Sequence, residues 1–252
     1  MKKTAILYRS HSQSNADILA IAKLKREVPE ADIFHLFGPS TEPTPDNTGT
    51  ECWEITDQKL MTLGYCYEPR PSSDLANRNK PPMSAIMRHC DYPIFYFFKQ
   101  RPQYEHYWML DYDVRFTGNW GEFFQVFSQE SDFGLLGTYI ADPTEDPYWA
   151  HWFNVDTPLE KRLRCYFPLV RFTHDALTFL DKAYLGGKTG FVELIGSSLL
   201  NEAGMKVGDF WGNPKYRPNY VKKIYYQKDT FFWRPCLSTA GPIPDTLYHP
   251  VK

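Results

Sequence analysis

The sequence predicts an α/β domain with a mostly parallel central sheet flanked by helices. Three observations support this prediction. The chain opens with an apolar run, a helical apolar stripe and a second apolar run, which is the order of a βαβ unit. Segments with strand and helix patterns then alternate as far as residue 209. A chain of 252 residues is also long enough to enclose one large core.

The opening unit is predicted from residues 4–37. Residues 4–8 form a short apolar run that ends in a polar loop, as a buried first strand does. Ser14 can cap the next helix, whose apolar stripe continues until Pro29 ends the pattern. Residues 31–37 then have the composition of a second strand. Because strands joined through a helix run parallel, the sheet is expected to be parallel here.

The rest of the chain continues this alternation. Two proline-rich stretches, 38–49 and 68–82, are predicted loops, and the second is a candidate lid. A further loop is expected at 141–157. Helices are predicted at 57–63, 83–98, 119–129, 175–184 and 192–203. Strands are predicted at 105–113, 133–140, 169–172 and 205–209.

Composition and charge narrow the expected partners. Hydrophobic residues make up 42% of the chain and charged residues 23%, which are ordinary globular values. The formal net charge of -2 leaves no basic excess for a phosphate backbone, so nucleic acid is not an expected partner. Aromatic residues reach 17%, and flat rings beside polar loops favour carbohydrate because they stack on sugar faces.

The expected location is the cytoplasm. The cysteines number five, lie far apart and form no CxxC pair, which fits reduced thiols. Polar residues between Arg9 and Asn15 interrupt any signal-peptide core, and no apolar run approaches the ~20 residues of a membrane span. Association with a membrane through the acceptor is compatible with this expectation.

Two carboxylates stand out at the end of the most strand-like segment. In residues 107–113, YWMLDYD, the apolar run leads into Asp111 and Asp113, and this i, i+2 spacing places both on one face of a strand. Two neighbouring like charges are costly to bury unless a cation joins them. Carboxylate oxygens suit Mg²⁺ or Mn²⁺, which complete their shells with phosphate oxygens and water. The alternative is a strand that ends at Asp111, with both acids facing solvent.

The run at 104–120, YEHYWMLDYDVRFTGNW, resembles the DxD segment of GT-A glycosyltransferases. The family's other landmarks follow in the same order: a β-loop-helix opening, a late helix that starts with an acid, and a C-terminal histidine. The resemblance implies one GT-A-like domain over 1–252, in which 1–120 bind the nucleotide sugar and 121–252 form the acceptor half and a metal-site tail. It also implies Mn²⁺ or Mg²⁺ on the nucleotide diphosphate, with Asp113 as a direct ligand. Asp111 would then reach the metal through water, or contact the ribose.

A second acidic position resembles the catalytic base of inverting members of that family. Glu193 follows Gly190 and starts an apolar helix, where glycine lets the backbone approach an acceptor and the helix dipole favours a carboxylate. The family often has an acidic pair at this point, whereas this chain has Val192 before Glu193. The alternative is an ordinary charge at a helix start.

The C-terminus HPVK supplies a third candidate. His249 resembles the late histidine that completes the metal shell in many GT-A enzymes, and imidazole is a good Mn²⁺ ligand. Lys252 could neutralise a phosphate. A surface or core histidine near a chain end is the alternative.

Nucleotide and acceptor contacts are expected from two loops. The first strand delivers Tyr8, Arg9, Ser10 and His11 to its carboxyl end, where α/β sheets bind nucleotides. Arg9 could serve a phosphate and Tyr8 could stack on uracil. In the loop at 141–157, indole and imidazole rings are candidate acceptor contacts, with burial under the loop as the alternative; they belong to Trp149, His151 and Trp152.

Taken with the resemblance, these residues predict a metal-dependent glycosyltransferase. It would move a hexosyl or N-acetylhexosaminyl group, with inversion, from a UDP-sugar to a glycan or glycolipid acceptor in polysaccharide assembly. One alternative is a phosphatase of the haloacid dehalogenase type, because residues 110–114 also fit DxDxV after a strand. The other is a carbohydrate-binding protein without catalysis.

Overall fold

A seven-stranded sheet forms the centre of the computed structural model, which describes residues 3–11, 14–38, 49–66, 89–128, 132–155 and 158–252. Its strands, in chain order, are β1 (Thr4–Ser10), β2 (Asp32–Phe37), β3 (Glu51–Glu54), β4 (His106–Asp111), β6 (Phe133–Ala141), β7 (Arg164–Thr173) and β8 (Lys206–Asp209). A separate two-stranded ribbon pairs β5 (Arg115–Phe116) with β9 (Leu247–Tyr248).

The order of the large sheet is β3-β2-β1-β4-β7-β6-β8. Strand β7 runs antiparallel to both of its neighbours, and the four other pairings are parallel. The predicted α/β class with a mostly parallel central sheet is therefore confirmed.

Helices cover both faces of the sheet. They are α1 (Asn15–Glu27), α2 (Asp57–Met61), α3 (Tyr92–Gln100), α4 (Trp120–Ser128), α5 (His174–Leu185) and α6 (Val192–Glu202). Alternate residues of β1 supply two cores: Ala5 and Leu7 pack with α2, α3, α5 and α6, whereas Ile6 and Tyr8 pack with α1 and α4. The start of α1 is fixed by the predicted cap, because Ser14 and Asp17 form a reciprocal capping box. None of the helices in the described ranges combines the length and apolarity needed to cross a membrane.

Several elements differ from the sequence prediction. Strand β3 was not predicted, because this edge strand is largely exposed and lacks an apolar pattern. Strand β7 begins five residues before the predicted 169–172. Strand β4 ends at Asp111, so Asp111 and Asp113 flank a turn, closed by the Val114 N–H to the Asp111 carbonyl, rather than sharing one strand face. The candidate lid at 68–82, most of the loop at 38–49 and the first part of the helix predicted at 83–98 lie outside the described residues.

The sheet order places the candidate site at the carboxyl ends of two central strands. Strands β1 and β4 are neighbours, and the chain leaves them toward opposite sides of the sheet. Arg9 of β1 is paired in register with Asp111 of β4 at their carboxyl ends. Open α/β sheets bind their ligands in the crevice at such a reversal of strand order. The turn at residues 111–114, called the DxD turn below, therefore lies where this architecture places a ligand site.

Candidate active site at the DxD turn

Asp111 is held by Arg9. The guanidinium of Arg9 donates two parallel hydrogen bonds to the Asp111 carboxylate, from Nε at 2.8 Å and from Nη2 at 2.7 Å. Its Nη1 donates to the Cys90 carbonyl. Burial raises the pKa of Asp111 and the nearby Arg9 charge partly offsets that rise. In this structure Arg9 orients Asp111, and its contact with a phosphate stays a prediction.

Asp113 faces His249. The Nε2 atom of His249 lies 3.3 Å from Oδ1 of Asp113, and only 5% of His249 and 8% of Asp113 is exposed. Burial favours the neutral acid, but the hydrogen bond and charge of His249, with Lys252 beyond it, hold the pKa of Asp113 below its usual value. The predicted Asp113 and His249 pair, 136 positions apart in the printed numbering, is therefore in contact.

The C-terminal segment is tied to the DxD turn along its length. Strand β9 pairs with β5, which follows the turn. The Val251 N–H donates to the Asp113 carbonyl at 2.8 Å. Isolated β-bridges join Leu237 to Val251 and Phe231 to His249. These backbone bonds keep His249 in place without any long helix or strand. Lys252 is exposed, and its Nζ lies 5.8 Å from the centroid of the Tyr112 ring.

The protonation of His249 follows from its other neighbour. Its Nδ1 lies 2.8 Å from the Phe232 carbonyl oxygen, which can only accept a hydrogen bond. Nδ1 therefore carries a proton, and Nε2 is the nitrogen directed at Asp113. A metal-binding histidine commonly donates its second N–H to a carbonyl in this way.

The spacing of this pair suits a divalent cation. Two cis ligands of an octahedral metal, each ~2.1 Å from it, lie about 3 Å apart. Nε2 and Oδ1 at 3.3 Å are close to that separation. Among the described residues, no group of three or more His, Cys, Asp or Glu side chains has metal-binding spacing. The structure thus joins two of the three predicted metal residues, while Asp111 is the partner of Arg9.

Two residues predicted to touch the nucleotide are buried instead. Tyr8 lies in the core, and its hydroxyl donates to Asp17 Oδ1 at 2.9 Å, or to the Tyr112 carbonyl at 3.2 Å. Its hydroxyl therefore contacts the backbone of the DxD turn, and its buried ring is not available to stack on a base. Ser10 is also buried, 2.8 Å from His35 Nε2. His11 is exposed, and its ring meets Tyr112 edge to face at 5.1 Å.

Glu193 is in the first turn of α6 and is half-buried. Burial raises its pKa to about 8, against an opposing effect of the Arg164 charge. Tyr166 is within electrostatic range of both Glu193 and the DxD turn: besides burial, the charges of Glu193, Asp111 and Asp113 all raise the pKa of its hydroxyl. The predicted base and the predicted metal site therefore act on one common neighbour.

The loop before β7 packs against the start of α6. His151 stacks on Phe191 with ring centroids 4.0 Å apart, and Trp149 meets Phe191 edge to face. The Arg164 guanidinium lies 5.8 Å from the Trp149 ring and is paired with Asp146. Trp149 and His151 are both partly exposed and contact the residue before α6.

Trp152 is placed differently from its two neighbours. It is buried, and its indole N–H donates to the Asp146 carbonyl at 2.6 Å. It therefore anchors the loop rather than offering a face to an acceptor. The sequence reasoning missed Arg164 and Tyr166, which precede the predicted strand and carry no recognisable motif.

Comparisons with known proteins give one partial family match and several likenesses to solved structures. Residues 51–132 match a family described as protein of unknown function (DUF3405), and no curated protein matches the chain. Solved structures with a similar arrangement are glycosyltransferases. Core-mannan synthase A of Aspergillus fumigatus, in its Mn/GDP form, is 13% identical with a TM-score of 0.41, over 83% of this chain and 73% of its own.

Two others have a TM-score of 0.46 and 10% identity. Glucosyl-3-phosphoglycerate synthase of Mycobacterium tuberculosis, with Mg²⁺ and UDP, matches 82% of this chain over 68% of its own. The galactosyltransferase LgtC, in complex with donor and acceptor sugar analogues, matches 88% of this chain over 84% of its own. At these values the likeness carries no argument about the chemistry of this chain.

Proposed function

We propose that the chain is a metal-dependent glycosyltransferase of the GT-A type. It transfers a sugar from a nucleotide-diphosphate donor, with a UDP-sugar as the expected donor, to a glycan or glycolipid acceptor. One observation carries the proposal: the buried Asp113 and His249 pair, 3.3 Å apart, lies beside an Arg9-bound Asp111 at the strand-order reversal of the sheet.

On the donor side, each residue has a separate task. Asp113 and His249 Nε2 would hold Mn²⁺ or Mg²⁺, leaving its other positions to diphosphate oxygens and water. When bound, the metal supplies charge stabilisation for the departing diphosphate. Asp111, oriented by Arg9, would contact the ribose or reach the metal through water. Lys252 contributes a positive charge near Asp113, and His11 is the exposed candidate for a nucleotide contact.

On the acceptor side, Glu193 is the candidate base. A carboxylate whose pKa is about 8 can take a proton from an acceptor hydroxyl near neutral pH more effectively than one with an ordinary pKa. Attack by that hydroxyl at the anomeric carbon, with loss of the nucleoside diphosphate, inverts the configuration. Trp149 and His151 beside Glu193 are candidate surfaces for the acceptor ring.

A phosphatase of the haloacid dehalogenase type fits these contacts less well. Its nucleophile would be Asp111, yet both Asp111 oxygens accept from Arg9. The later acid that could bind Mg²⁺ is Asp209. Its carboxylate already accepts four hydrogen bonds, from the backbone N–H groups of Ile140, Trp211 and Gly212 and from the Tyr226 hydroxyl. A carbohydrate-binding protein without catalysis would not require the Asp113 and His249 pair.

The proposal is tested by ligand stabilisation followed by turnover. A thermal-shift panel of nucleotide sugars, each with and without Mn²⁺, should show stabilisation by a UDP-sugar that requires the metal. The same mixtures should show metal-stimulated hydrolysis of that sugar nucleotide. Turnover of phosphomonoesters in preference to sugar nucleotides would support the phosphatase instead. A cytoplasmic location, with membrane contact through the acceptor, stays a prediction.

A further inference from the structure

Three groups meet behind the His249 ring. The Tyr166 hydroxyl lies 3.2 Å from the Phe232 carbonyl and 3.1 Å from His249 Nδ1, and the carbonyl lies 2.8 Å from the same nitrogen. The Tyr166 ring also meets the imidazole edge to face, with centroids 5.5 Å apart. Because the carbonyl has two lone pairs, it can accept from Nδ1 and from Tyr166 together.

A second tyrosine fixes the segment that carries this carbonyl. The Tyr139 hydroxyl can donate to the Phe231 carbonyl or to the Gln227 carbonyl. Tyr139 has a φ of 52°, in the left-handed region that a bulky residue rarely adopts, at an irregular part of β6. Backbone strain of this kind persists only where surrounding contacts hold it, and it is frequent near functional sites.

We propose that Tyr166, supported by Tyr139, is a positioning residue for His249. It holds the Phe232 carbonyl and the imidazole together, so that Nδ1 keeps its proton and Nε2 is directed at Asp113 for metal binding. This inference rests on the proposed function, because it assigns a purpose to His249 that only a metal-binding site requires. Tyr166 itself touches neither metal nor substrate in this role.

Groups that orient a metal ligand typically change metal affinity by 10–100-fold when they are removed. Tyr166→Phe removes one hydroxyl and keeps the ring packing, so it should lie near the lower limit, at roughly 10-fold. A purely structural hydroxyl would change the melting temperature without changing metal affinity.

Tyr107→Phe is a matched control. Tyr107 is also a buried tyrosine whose hydroxyl donates to a backbone carbonyl, that of Arg101 at 2.8 Å, but it lies at the opposite end of β4. Mn²⁺ affinity is measured for the wild type and both variants, alone and with UDP. The proton on His249 Nδ1 is followed by ¹⁵N NMR on the metal-free protein.

The expected result is that Nδ1 carries a proton in the wild type, that Tyr166→Phe raises the share of rings protonated on Nε2 alone, and that only Tyr166→Phe weakens Mn²⁺ binding. Equal Mn²⁺ affinities in the two variants, or a wild-type ring protonated on Nε2 alone, would overturn the inference. A wild type that does not bind Mn²⁺ with UDP would contradict the proposed function. The tautomer measurement still decides the positioning of the ring in that case.

Discussion

The Nε2 atom of His249 lies 3.3 Å from Oδ1 of Asp113, and both side chains are buried. A charged carboxylate is costly to bury, and an imidazole directed at it removes that cost only when a proton or a metal ion lies between them. A proton would give an ion pair, and a metal would give two cis ligands. Metal binding at this pair therefore competes with protons and should weaken as the pH falls.

Asp113→Asn should abolish metal-dependent binding of UDP while the protein stays folded. The amide keeps the size of the side chain but is a weaker ligand for Mg²⁺ or Mn²⁺, and it no longer balances a cation. Calorimetric titration with UDP, with and without Mn²⁺, measures the change. Asp132→Asn is the control, because it removes an exposed acid that pairs with Lys206. Metal-stimulated affinity that survives in Asp113→Asn would remove Asp113 from the site.

Arg9→Lys should weaken nucleotide binding although it keeps the positive charge. Lysine cannot reproduce the two parallel bonds to Asp111, so Asp111 loses its fixed orientation. Loss of a charged hydrogen bond of this kind should also cost roughly 1.5–3 kcal/mol in the free energy of unfolding. If Arg9 served a phosphate directly, lysine would serve as well, and affinity would be nearly retained. Urea unfolding and UDP titration of the same variant measure both quantities.

The sequence predicted the parts of the molecule that depend on local pattern. The βαβ start and the helix before β6 follow from apolar patterns, the cap at Ser14 follows from its residue type, and the structure contains all three. Strand β4 was predicted too long, because hydrophobicity alone does not show where a strand gives way to the turn at Tyr112.

The closure of the site could be predicted only by resemblance to a family. His249 reaches Asp113 through the two-residue pairing of β5 with β9 and single bridges at Phe231 and Leu237, and such short contacts have no periodicity. Tyr8 was misjudged for a related reason. A tyrosine at a strand end suits either a ligand or the core. Its hydroxyl is satisfied by Asp17, in the next helix, and by the Tyr112 carbonyl, which is 104 positions away in the sequence.

Glu193 should make the folding stability depend on pH. Its pKa is raised from an unfolded value of 4.5 to about 8 by burial, so between these values the folded chain keeps a proton that the unfolded chain releases. The stability that Glu193 contributes is therefore full below about pH 4.5 and is lost as the pH rises through about 8. Glu193→Gln is neutral throughout and should lack this loss. Its advantage over the wild type should grow from pH 5 to pH 8 in denaturant titrations, and a constant difference would show that the carboxyl titrates normally.

The same substitution tests catalysis. If Glu193 is the base, Glu193→Gln keeps the size and most hydrogen bonds of the side chain but cannot accept the acceptor's proton, so turnover should fall by roughly 10²–10⁴-fold. Affinity for the nucleotide sugar should barely change, because the donor residues lie around Asp113 and His249. Wild-type turnover should rise with pH through about 8, as the carboxyl loses its proton, and the variant should lose that rise.

If Glu193 only favours the start of α6, both the stability and the turnover of Glu193→Gln should differ from the results expected for a base. Removing a helix-start charge costs a few tenths of a kcal/mol to ~1 kcal/mol of stability and leaves turnover nearly intact. Asp175→Asn is the matched control, since Asp175 is an exposed acid in the first turn of α5, away from the DxD turn. Near-normal turnover of Glu193→Gln with its donor and acceptor would contradict the assignment. A product that retained the anomeric configuration of the donor would contradict it as well, because a single displacement assisted by a base on the acceptor side must invert.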